Sequence, residues 1–139
     1  MDEFIEVICE YLKIDVPKIS YDCSGFNSET MMAQVDPNTN IIYIKKSEKE
    51  NPDQLFAVAH ELRHIWQIKN ERDLYFLNYK TIDLCESVKE YNLQIAELDA
   101  NAFAGIVMED IFTITPLFNA LDKEVKNKIH ERMKYIREN

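Results

Sequence analysis

Two histidines four residues apart, His60 and His64, lie inside the run Asn51 to Trp66, and the local chemistry of that run is helical. Asn51 can cap a helix, Pro52 suits the first helical position, and Asp53 favours the positive end of the macrodipole. Leu55, Val58, Ala59, Leu62, Ile65 and Trp66 then recur at helical spacing, which predicts one broad buried face, and nothing breaks the pattern before Lys69-Asn70. On such a helix residues four apart differ by about 40° around the axis and about 6 Å along it, so both imidazoles can reach one ion. Glu61 lies about 100° from His60, beside that ion rather than on it.

His60-Glu61-Leu62-Arg63-His64 is the H-E-x-x-H arrangement of zinc hydrolases, in which two histidines bind metal and the glutamate is general base for the attacking water. With three histidines in the chain, a chance match is on the order of one in a few hundred, so the run is read as a site. A catalytic zinc normally takes a third protein ligand. The longer pattern H-E-x-x-H-x-x-G-x-x-H is excluded, because Gln67 and Asn70 stand where it needs glycine and histidine. His130, the other histidine, falls in a charged helical stretch and reads as a surface residue.

An acid on a second helix is then expected. Cys85 to Asp110 is a long helical pattern with an alanine-rich middle, and small side chains let two helices approach closely around a shared ion. Glu97 is the best candidate, on one face with Ala100, Asn101 and Ala104, and Asn101 could hydrogen-bond a ligating imidazole. Asp99 is the competitor. It lies about 200° from Glu97 around the axis, so both cannot point at one ion.

The rest of the chain narrows the setting. A formal charge of -9 argues against a phosphate-dominated contact with nucleic acid and against an anionic membrane surface. Cys9, Cys23 and Cys85 are odd in number and widely spaced, the pattern of buried free thiols in a reducing compartment. The acidic start Met1-Asp2-Glu3-Phe4 and the lack of a membrane-length apolar run lead to the expectation of a cytoplasmic protein.

Asp2 to Lys13 reads as an amphipathic helix, with Phe4, Ile5, Ile8 and Leu12 on one side. Ile19 to Cys23, Met31 to Asp36 and Ile41 to Lys46 are strand candidates, with a turn at Asp36-Pro37-Asn38-Thr39-Asn40. They predict a small, mostly antiparallel sheet ahead of the metal helix, one edge of which could hold an extended peptide. Glu71 to Glu90 is hard to read. Its aromatic stretch Leu74 to Tyr79 suits core or cleft, and Tyr75, Tyr79 and Tyr91 are candidates for stabilising an oxyanion. A short helix from Thr115-Pro116 to Leu121 and a last helix from Asp122 to Ile136 complete the expectation of one α+β domain over residues 1–139.

His60-Glu61-x-x-His64 followed by Glu97-x-x-Ala100-Asn101-x-Phe103-Ala104 resembles the ImmA/IrrE family of zinc metallopeptidases, within the gluzincin group. The resemblance spans about Leu55 to Met108, and Glu109 stands where that family has proline in its Leu-Met-Pro-like stretch. It implies a zincin-like fold, His60, His64 and Glu97 as zinc ligands, Glu61 as catalytic base, and a protein or peptide substrate, with a repressor-type regulator as one such substrate. Zinc-dependent peptide-bond hydrolysis is therefore the expected function. The alternative is a metal-binding regulatory or interaction protein without protease activity.

Overall fold

The computed structural model describes residues 1–139 as five helices and a three-stranded sheet, an α+β arrangement. Helix α1 (Asp2–Leu12) buries Ile5, Ile8 and Leu12 of the expected stripe together with Cys9, while Phe4 is only half-buried. Strand β1 (Lys18–Ser20) follows, then β2 (Ala33–Asp36) and β3 (Ile41–Ile44).

The sheet is mixed, not mostly antiparallel. β2 and β3 form an antiparallel hairpin with Val35 opposite Ile42, closed by a turn in which Asn40 takes a left-handed conformation that asparagine tolerates. β1 lies on the other edge of β3 and runs parallel to it, with Ile19 opposite Ile42. The segment between β1 and β2 carries the chain across the sheet, which reverses one pairing. Along β3, Ile42 and Ile44 are buried and Tyr43 is half-buried, the alternation of a strand with one face on the core.

Helix α2 (Pro52–Phe76) starts as expected: the Asn51 side chain accepts from the Gln54 N–H at 2.9 Å, and Pro52 opens the first turn. It continues past Lys69-Asn70 but kinks at Glu71, whose φ of -143° and ψ of 47° are not helical. A single 3₁₀ turn (Ile82–Leu84) and the short α3 (Val88–Asn92) follow. The long helix expected from Cys85 to Asp110 is therefore broken. Gln94 is extended, and its side-chain amide accepts from the Lys80 N–H at 2.7 Å and donates to the Lys80 carbonyl at 2.9 Å. Those bonds hold the preceding loop across the chain just before α4 (Ile95–Phe112), and helix continuity is lost to them.

α4 is buried on nearly every side from Ala96 to Met108, as expected of a central helix that is apolar around most of its circumference. One side, through Phe103, Ala104 and Val107, meets a core of Ile5, Ile8, Ile42, Ile44 and Leu62. The other side, through Leu98, Ala102 and Ile106, meets Val125, Ile129 and Met133 of α5 (Lys123–Glu138). Each such large side chain contributes about 1.5–3 kcal/mol by leaving water. The alanines at 96, 100 and 104, all fully buried, let α2 close onto α4. No helix forms from Thr115 to Leu121. Pro116 disfavours helical geometry at Thr115, and Phe118 has a φ of 53°. No helix is long and apolar enough to cross a membrane.

Candidate metal centre

The closure of α2 on α4 brings His60, His64 and Glu97 together, their ligand atoms all within 4.8 Å of one another. The two Nε2 atoms are 3.1 Å apart, His60 Nε2 is 3.3 Å from Glu97 Oε1, and His64 Nε2 is 3.0 Å from Glu97 Oε2. A tetrahedral ion with bonds of about 2.1 Å spaces its ligand atoms roughly 3.4 Å apart, close to these separations.

The tautomers follow from the other side of each ring. His60 Nδ1 lies 2.7 Å from Asn101 Oδ1, and His64 Nδ1 lies 2.8 Å from Gln67 Oε1. An amide oxygen only accepts, so each Nδ1 must carry the proton. Gln67 cannot be turned over, because its Nε2 donates to the Ala96 carbonyl at 3.0 Å and to Asp99 Oδ2 at 2.8 Å, both pure acceptors. In the neutral imidazoles both Nε2 lone pairs therefore face a carboxylate. Three acceptors at 3.0–3.3 Å call for a cation between them, either a proton or a metal ion.

The electrostatics agree. Burial alone would push the His64 pKa down, but the hydrogen bond and charge of Glu97 and the charge of Glu61 outweigh it and raise it to about 9. Burial likewise opposes ionisation of Glu97, yet His60 and His64 hold its carboxyl well below the usual range. For Glu61, half-buried beside the triad, burial wins and raises the carboxyl, against the lowering effects of His64, His60 and the Val35 backbone on β2.

Compared with known proteins, the chain matches no family model, no curated protein and no solved structure.

The structure sorts the remaining candidates. Asp99 is fully buried but turned away from the triad. Its carboxylate accepts from Arg63 Nε at 2.7 Å and from Arg132 Nε at 2.9 Å. Tyr75, a candidate for the oxyanion, is also behind the site, accepting from Arg132 Nη2 at 2.6 Å. Tyr79 donates to Glu97 Oε2 at 2.9 Å, which leaves Tyr91 to donate to the Tyr79 oxygen at 3.1 Å. Burial first, then the charge of Glu97, raises both phenols, so they remain protonated donors. His130 is exposed on α5, with its ring centroid 5.9 Å from that of Phe118. The three cysteines are free, with Cys9 buried and Cys23 and Cys85 half-buried, which corrects the expectation that all three are interior. Gln67 was missed as a functional residue, although glutamine three residues beyond a ligating histidine on a helix is within reach of its ring. Arg63 and Arg132 carry no sequence signal of their roles.

Proposed function

We propose that this chain is a zinc-dependent peptidase with a zincin-like arrangement, in which His60, His64 and Glu97 hold the ion and Glu61 is the general base. The observation that carries this reading is the convergence of two Nδ1-tethered imidazoles and a carboxylate on one point, with Glu61 next to it on the same helix. When bound, a zinc ion supplies Lewis acidity, lowering the pKa of an adjacent water and polarising a carbonyl. Glu61 takes a proton from the attacking water and passes it to the leaving amine, and its raised carboxyl pKa suits both halves of that transfer. Asn101 and Gln67 keep the imidazoles pointed at the ion while this happens. β2, an edge strand packed on α2 beside Glu61, is placed to receive an extended polypeptide as an added strand.

The substrate in this reading is a protein or peptide, with a repressor-type regulator as the candidate that the resemblance to the ImmA/IrrE family suggests. Zinc content by native mass spectrometry, followed by cleavage of a protein panel by wild type and Glu61→Gln, tests it. The expected result is one zinc in both, and cleavage by wild type that falls about 10²–10⁴-fold in the variant. Zinc in both with no cleavage by either would favour a metal-binding regulatory role. No stoichiometric zinc in either would end both readings.

A further inference from the structure

The triad opens on one side into a cleft of about 500 Å³, within the roughly 300–1,000 Å³ of typical ligand sites. His60 and Glu97 belong to its wall, so a group seated in it lies directly beside the metal centre. Its apolar surface comes from Phe56 on the first turns of α2 and from Leu117, Phe118 and Leu121 in the segment between α4 and α5, and Asp53 is its other acid. Leu117 is 60% exposed, a large apolar side chain left uncovered next to a polar centre.

The wall is held in place. The Phe118 ring stands edge-on to Phe56 at 5.9 Å, and on α4 a Cβ added at Gly105 would meet Phe118 at 3.5 Å and Met133 at 3.3 Å. Only a residue without a side chain fits there without displacing Met133, so Phe118 sits close against the helix. Its backbone is left-handed, a conformation unfavourable for a bulky residue.

We propose that this cleft binds a bulky apolar side chain, aromatic or aliphatic, of the polypeptide lying across the triad, and that Phe56, Leu117 and Leu121 set the preference. This rests on the peptidase reading above. An acidic side chain is disfavoured there, because Asp53 and a chain of net charge -9 repel it.

The test separates recognition from cleavage. The isotopically labelled metal-free full chain is titrated with N-acetyl-phenylalaninamide, N-acetyl-leucinamide and N-acetyl-aspartamide and followed by NMR. The first two probes should shift the resonances of Phe56, Leu117 and Leu121, with the aspartate probe at least about tenfold weaker. Leu117→Glu, at an exposed position where folding is not at stake, should weaken the phenylalanine probe by about tenfold and, in the zinc-loaded chain, move cleavage away from sites flanked by large apolar residues. Equal response to all three probes, shifts confined to other residues, or an unchanged Leu117→Glu would overturn the proposal. Selective binding in the cleft with no cleavage of any peptide would keep the cleft assignment and sink the hydrolase reading instead.

Discussion

Glu97 and Asp99 stand two residues apart on α4, and the same two helices, α2 and α4, build a polar cluster around each. Around Asp99 the chain supplies its own cations: Arg63 from α2 and Arg132 from α5 neutralise a carboxylate with no exposed surface. Around Glu97 it supplies two more lone pairs instead, and the cation must come from outside as a proton or a metal. The difference teaches where to look for function in a buried polar network. A closed cluster is structural, and one short of a cation is a candidate binding site.

The sharpest way to break that comparison is to remove each acid in turn. Asp99→Ala leaves two guanidiniums without a counter-charge, Arg63 buried and packed on the Trp66 ring at 3.8 Å, so about 3–5 kcal/mol of stability is lost. Glu97→Ala strands no charge that cannot respond, because His64 can shed its proton, and beyond that only the Tyr79 hydroxyl loses its acceptor. Its stability loss in the metal-free chain should be clearly smaller, while stoichiometric zinc binding disappears. Urea unfolding of both variants, with zinc content measured alongside, checks this. Equal stability losses would show that the two clusters are not different in kind.

Gln67 joins the two clusters, accepting from His64 Nδ1 and donating to Asp99. Gln67→Leu leaves the imidazole N–H without its acceptor, and zinc affinity should fall about 10–100-fold, or roughly 1.4–2.7 kcal/mol. Tyr75→Phe removes a bond to Arg132 in the closed cluster without touching Gln67. It should leave affinity unchanged, as measured by competition with a chromophoric chelator. A matching fall in Tyr75→Phe would mean that loosened packing, not imidazole orientation, governs the metal.

What the residues disclosed and what they hid divides along the same line. The start of α2 was legible because Asn51 and Pro52 act within one turn, and the choice of Glu97 over Asp99 as the acid facing the histidines followed from helical angle and the accompanying alanines. The break before α4 was not, since asparagine, leucine and glutamine at 92–94 are all tolerated in helices and the bond from Gln94 to Lys80 forms only after the loop returns. Nor was the parallel β1, whose direction depends on how residues 21–32 cross the sheet. Arg132, distant in sequence from Asp99, reaches it only when α5 docks on α4. Local rules fixed caps, periods and faces, while contacts that depend on returning segments escaped them.

The finest test of the comparison uses pH. In the metal-free chain Glu97 is held ionised and His64 is raised to about 9, so the proton at the open cluster resides on His64 near neutrality. A raised histidine pKa means that this proton stabilises the fold at low pH, with the contribution fading as pH climbs through about 9. Zinc must displace the same proton, so its apparent affinity should rise about tenfold per pH unit, roughly 1.4 kcal/mol, and level off above about 9. Asp99 behaves oppositely. Burial would raise its carboxyl, but Arg63, Gln67 and Arg132 hold it below its usual value, so its contribution is complete at neutral pH and is lost only as acid drives pH down through that lowered pKa. Chelator competition at several pH values from 6 to 9, corrected for the chelator's own protonation, should give that slope in wild type. A flat profile would mean that no proton sits between the imidazoles and Glu97, and that the open cluster is no more in need of a cation than the closed one.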